Sequence, residues 1–231
     1  MISVLKSDER GQADFGWLNS RHTFSFGSYY NPEQMGLSHL RVINDDHVKP
    51  GYGFDTHGHQ DMEIISYVLE GRIKHKDTLG HTEYLSAGEV QVMSAGTGIK
   101  HSEYNASASE ALHFLQIWVI PRQSGLTPSY QQKDFSAFNG LSLLVSPDGR
   151  NGSLSISQDV EIYRLQATDA PIEKVLDTAT IGYIHVATGD VLINGERYSA
   201  GDGITLTDEN KVQMQASENS EALLFILPTT A

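Results

Sequence analysis

A series of short apolar runs, each cut off by turn residues, sets the tightest limit on how this chain folds. Ile64–Leu69 is closed by Glu70 and Gly71, Leu112–Ile120 is stopped by Pro121, and Leu141–Val145 runs into Ser146-Pro147-Asp148-Gly149. Runs of this kind, bounded by Gly, Pro, Asn and Asp, are strand signals. No long segment sustains a 3.6-residue apolar period, so helix is expected only as short turns. The expectation is an all-β chain of antiparallel strands, folded as sandwiches or barrels. The chain has 231 residues, room for one large β domain or two small ones, and 39% of them are hydrophobic, enough for a packed core.

Two features favour two domains. The stretch Pro121–Pro128 reads as a linker near the middle of the chain. The halves also echo each other: Tyr67-Val68-Leu69-Glu70-Gly71 precedes Ser86-Ala87-Gly88-Glu89, and His185-Val186-Ala187-Thr188-Gly189 precedes Ser199-Ala200-Gly201-Asp202. Both read as strand, tight turn, strand, turn. Two related barrels, over residues 1–125 and 126–231, are the simplest account.

Composition removes several classes of function. There is no cysteine, so disulfides, thiolate metal sites and cysteine nucleophiles are excluded, and any metal is held by nitrogen and oxygen. A net charge of −13 opposes direct binding to nucleic acid. The opening MISVLKSDERGQADFGW lacks the apolar core of a signal peptide, and no apolar run reaches membrane-spanning length, so the cytoplasm is the expected location.

The chemistry-bearing residues gather in the first half, which holds nine of the ten histidines. His57-x-His59 and His101-x-Glu103 share one spacing. Alternate residues of a strand point to one face, so two facing strands could set three imidazoles and a carboxylate around one divalent transition metal. Glu63 is expected nearby, orienting a histidine, or else salt-bridged in the barrel wall. His22 could line the pocket or bond to backbone. His75 and His81 are expected on an exposed hairpin turn, His113 in the core, and Asp45-Asp46 in a turn, with Arg41 pairing with one of them. Trp17, Phe24, Phe26, Met93 and Trp118 read as core, with one or two available as an aromatic wall.

Gly51-x5-His57-x-His59-x3-Glu63, followed by Gly71, resembles the first cupin motif, and Gly80-x5-Ser86-x-Gly88 resembles the start of the second. The second motif's histidine would fall at position 91, which is Gln91. One cupin family shares that departure. His22-Thr23-Phe24-Ser25-Phe26, Leu40–Asp46, Met62-Glu63 and Met93–Glu103 resemble the pirin family over nearly all of residues 1–121, and the second half fits the family's second cupin domain in length and turn pattern.

The resemblance implies two tandem cupin domains, the first holding metal and the second degenerate. It implies His57, His59, His101 and Glu103 as ligands, usually of iron, with Mn, Ni, Cu or Zn as alternatives. It is closest to the bacterial pirin-like proteins described as quercetin 2,3-dioxygenases. The implied function is cleavage of a flat flavonol with O2 and release of carbon monoxide, with Glu103, ligand or close neighbour, as the general base that takes the 3-hydroxyl proton. The alternative is a regulatory protein that senses metal redox state and acts through protein partners. A zinc-dependent sugar isomerase is a weaker third reading.

Overall fold

The computed structural model describes residues 1–229. Among the described residues it contains twenty-two strands, and helix is confined to two 3-10 turns, Ser7–Glu9 and Arg150–Gly152. The all-β expectation holds. The chain forms two compact units.

The first unit comprises Gly11–Ser136 and Ile156–Gln158. Its strands are β2 (Gly11–Asp14), β3 (Leu18–His22), β4 (Leu40–Val48), β5 (Gly53–His59), β6 (Glu63–Glu70), β7 (Arg72–Asp77), β8 (Thr82–Ser86), β9 (Glu89–Ser94), β10 (Ile99–Asn105), β11 (Leu112–Val119) and β12 (Ser129–Asp134). They make a seven-stranded sheet in the order β12-β9-β6-β11-β4-β3-β2 and a four-stranded sheet in the order β5-β10-β7-β8. Leu18, Val48, Val68, Leu112 and Phe114 of the larger sheet pack on Ile73 and Leu85 of the smaller, which closes one end of the sandwich with an apolar plug.

The second unit comprises Met1–Arg10, Ala137–Ser155 and the chain from Asp159 onward. Its strands are β1 (Ile2–Leu5), β13 (Leu141–Ser146), β14 (Leu154–Ser155), β15 (Glu161–Gln166), β16 (Ile172–Val175), β17 (Thr180–Thr188), β18 (Asp190–Ile193), β19 (Glu196–Ser199), β20 (Gly203–Leu206), β21 (Lys211–Ala216) and β22 (Glu221–Pro228). The sheets run β1-β20-β17-β22-β15-β13-β14 and β16-β21-β18-β19. Each strand of the smaller sheet has a counterpart in the first unit, so the weak echo in the sequence is a repeat in topology. The echoed glycines carry it. Gly71 and Gly189 follow corresponding strands at φ +80° and +62°, and Gly88 and Gly201 sit at +84° and +87°. Left-handed backbone at a tight turn is where glycine has no steric penalty.

The interior of the second sandwich is apolar. Ile184, Val191, Ile193, Ile204, Val212, Met214 and Leu224 form one buried cluster. Val212 and Met214 lie on β21, the counterpart of β10, which carries His101 and Glu103 in the first unit.

The sequence cut at residue 125 differs from this division in three places, one of them Ile156–Gln158, which belongs to the first unit. Residues 129–134 lie beyond that cut, yet β12 pairs with β9 in the first unit. Residues 2–5 lie in the first half, yet β1 pairs with β20 in the second unit. Turn residues show where a strand stops, whereas the edge it joins depends on residues far away in the chain.

Candidate metal centre

The site is built on β10, the strand between β5 and β7 in the four-stranded sheet. His101 sits opposite His57 on β5 and Asp77 on β7, and Glu103 opposite Phe54 and His75. Ile99, His101, Glu103 and Asn105 are all buried, which marks the inward face of β10, while Lys100 is exposed. The period-two reading of His101-x-Glu103 therefore holds: both side chains enter the same interior.

Three imidazoles converge. The ring centroids of His57, His59 and His101 are 4.5 to 4.9 Å apart. Their ligand nitrogens lie within 4.8 Å of one another, and the Nε2 atoms of His59 and His101 face each other at 3.0 Å. His57 Nδ1 lies 2.8 Å from the carbonyl oxygen of Asp55. A carbonyl only accepts, so His57 Nδ1 is the donor, which leaves Nε2 as the nitrogen turned to ligation. The pKa values of His59 and His101 are pushed down to about 4, first by burial, with the neighbouring histidines adding to it. Both rings are thus neutral at pH 7 and offer lone pairs.

Glu103 stands in an overlapping group with His101 and His75, again within 4.8 Å. Its carboxylate is buried and tightly held. Oε1 accepts from Ser66 Oγ at 2.8 Å and Gln91 Nε2 at 2.9 Å, and Oε2 accepts from Gln116 Nε2 at 2.7 Å. Burial alone would raise its pKa, but His101, His75 and the bonds from Ser66 and Gln116 outweigh that and hold it below the ordinary range. Gln91, where an ordinary cupin would supply a histidine, instead fixes this carboxylate.

Other expectations are corrected. His75 is not on an exposed turn: it is fully buried on β7, with Nε2 3.1 Å from Asp77 Oδ2. The pattern Arg72-Ile73-Lys74-His75-Lys76-Asp77 carried that signal, because its three cations alternate with three buried residues. Only His81 lies near the turn, and its Nδ1 reaches Asp77 Oδ2 at 2.9 Å. Glu63 is on the opposite face of β6 from Ser66 and is held by Ser94 Oγ at 3.2 Å and by Ser157 N and Oγ at 3.2 and 3.1 Å, so it does not orient a histidine of the site. Asp45 and Asp46 lie within β4 and not in a turn, and Arg41 donates to the Ser25 carbonyl at 2.8 Å. His22 Nδ1 meets the side chain of Asn44 at 2.7 Å. His113 is part-buried, 2.6 Å from Asp45 Oδ1.

Trp118 stands edge-on to His59 at 5.0 Å, and Phe26 packs edge-on to Trp118 at 5.4 Å. These two supply the aromatic wall, whereas Trp17 packs on Phe54 and Tyr52. An open cleft of about 640 Å³ runs beside His59, lined by Gly58, Gln60, Thr78, Gly98, Ile99 and Lys100. A cleft of about 520 Å³ in the second unit is lined by Asp169, Asp190, Arg197 and Glu218 among others, without a histidine.

Two sandwiches of repeated topology, one with an inward His/Glu cluster and one with an apolar interior, define a two-domain cupin protein. Comparison with known proteins agrees. Residues 5–119 match the Pirin family, and residues 143–227 match the quercetinase C-terminal cupin domain. The chain belongs to the pirin family. It is 50% identical over 230 residues to a protein of Escherichia coli K12 named quercetin 2,3-dioxygenase, covering 99% of each. It is 40% identical to a pirin-like protein of Caulobacter vibrioides, covering 97% and 98%. The crystal structure of the bacterial pirin YhhW of E. coli in complex with nickel(II) superposes with a TM-score of 0.94 at 49% identity, covering all of both chains. Among the described residues no helix is long and apolar enough to cross a membrane.

Proposed function

We propose that this protein is a metal-dependent dioxygenase that cleaves flavonols such as quercetin with O2 and release of carbon monoxide. The observation that carries the reading is the convergence of three imidazole nitrogens beside a hydrogen-bonded carboxylate. That donor set fits a divalent transition ion, because the His59 and His101 rings are neutral and the Glu103 carboxylate ionised at pH 7. His57, His59, His101 and Glu103 would hold it. Iron is the assigned ion, and Mn, Ni, Cu and Zn suit the same ligands. The relatives named quercetin 2,3-dioxygenase support the substrate, and the nickel(II) complex of the E. coli pirin supports a metal.

When bound, the ion supplies Lewis acidity toward the substrate's adjacent hydroxyl and carbonyl oxygens and a centre for O2 chemistry. The chain's own residues do the rest. Ser66, Gln91 and Gln116 keep the Glu103 carboxylate in one orientation. Oε1 already accepts two hydrogen bonds and Oε2 one, so Oε2 keeps a single lone pair, which would bind the metal or, with Glu103 as its close neighbour, take the substrate's 3-hydroxyl proton. Its depressed pKa keeps the carboxylate in the unprotonated form that can accept a proton. Trp118, packed against His59 and backed by Phe26, would supply an aromatic wall for a flat substrate. The cleft beside His59 is of a size that suits a small-molecule ligand.

Metal-loaded protein should bleach the flavonol absorbance band only when O2 is present. His57→Ala and His101→Ala should lose metal and turnover together. Fully metallated protein without O2-dependent turnover overturns the enzymatic reading in favour of the regulatory one, and turnover that survives complete removal of metal overturns the ligand assignment.

A further inference from the structure

On the other face of the large sheet, the first unit carries a second cluster of metal-ligating side chains that the proposed reaction does not use. His47 on β4 and His113 on β11 are direct register partners, and Asp45 lies two residues before His47 on the same face. Gln116 and Trp118, which serve the first site, have the opposite parity to His113 on β11 and point the other way. The two groups are therefore separated by the thickness of a sheet.

We infer that Asp45, His47 and His113 form a second binding site for a divalent transition cation of the zinc type. The imidazoles stack with centroids 3.9 Å apart and planes 17° apart. His113 Nε2 lies 2.6 Å and His47 Nε2 3.8 Å from Asp45 Oδ1. The three ligand atoms all lie within 4.8 Å of one another. Two donors at about 2.1 Å from one ion stand about 3 to 4 Å apart, so a small turn of one ring suffices to close the set. His47 is the ring placed to make that turn: its side chain is 53% exposed, against 14% for His113 and 12% for Asp45. Two walled ligands and one at the surface make a site that a hydrated ion can reach. Two imidazoles and one carboxylate favour Zn, Ni, Co or Cu over Mg and Ca, which prefer all-oxygen sets. Glu70, the register partner of His113 on β6, adds a second negative charge beside it. Binding replaces the proton shared between His113 and Asp45, and the ion's remaining positions stay open to water.

The test uses the full-length protein, stripped with a chelator and dialysed against Zn2+, with bound metal counted by elemental analysis. Wild type should take up two equivalents per chain. The pair His47→Gln and His113→Gln should lose one equivalent and keep the other, and the pair His57→Ala and His101→Ala should do the converse. Retention of one equivalent reports that each variant is folded. His47→Gln alone, at an exposed side chain, should weaken the second equivalent at least ~10-fold. The inference is overturned if wild type binds a single equivalent, or if the second equivalent survives the His47→Gln, His113→Gln pair unchanged. Neither result bears on flavonol turnover, which rests on the other face of the sheet.

Discussion

At the scale of single residues, two buried polar groups make opposite predictions. Gln91 holds Glu103 through one hydrogen bond and Ser66 through another. Gln91→Leu should leave the fold intact and lower metal affinity roughly 10- to 100-fold, as loss of a group that orients a ligand does; metal titration against a competing chelator checks it. Glu63 is the reverse case. Burial pushes its carboxyl up from 4.5, and the bonds from Ser157 and Ser94 only partly offset that. The native state therefore binds more protons than the unfolded state between 4.5 and the raised value. Stability falls as pH rises through that window, and the penalty persists at pH 7. Glu63→Gln should raise the melting temperature at pH 7, and the difference should vanish below pH 4.5. The residue scale is also where sequence reading did best and worst. The histidine pairs were legible because a period of two decides a face. Glu63 was misplaced because motif spacing counts residues, whereas parity on β6 turns its side chain away from Ser66 and from the site. His75 was missed because its neighbours Leu79 and Gly80 suggested a turn, although the alternating cations around it recorded a buried strand face.

At the scale of elements, the turn after one long strand of each larger sheet controls its geometry. Gly71 ends β6 at φ +80°, and a Cβ there would meet the Ala111 carbonyl oxygen at 2.5 Å. Gly189 ends β17 at φ +62°, and its Cβ would meet Ser220 Oγ at 2.2 Å. Gly71→Ala should destabilise the protein by about 1–3 kcal/mol, since it combines backbone strain with a clash against main chain. Gly80→Ala, at φ +101° with nothing within 4 Å, should cost less. Urea unfolding of the two variants separates strain from crowding. These glycines were legible in sequence as an echo, because only glycine meets both demands cheaply. Strand existence was legible for the same local reasons. The burial of Asp45 within β4 was not, since two adjacent acids are a turn signal in isolation and only pairing with β3 and β11 makes them strand.

At the scale of the whole molecule, the exchange of edge strands has the widest effect. A fragment ending at residue 125 lacks β12 and leaves the β9 edge bare, and the complementary fragment lacks β1 and leaves β20 bare. Both fragments should aggregate where the full chain stays monodisperse, because an unpaired edge is a template for other chains; light scattering during expression trials reads this directly. A cut after residue 136 with residues 1–10 supplied as a peptide should rescue the second unit in part. The exchange also sets a timetable for biosynthesis. Ile2–Leu5 has its register partners at Gly203–Leu206. At about 5–20 residues per second, roughly 10–40 s of translation separate the two. β1 therefore leaves the ribosome long before β20 exists to seat it, and for that interval a nascent chain carries a ribbon whose partner edge has still to be made.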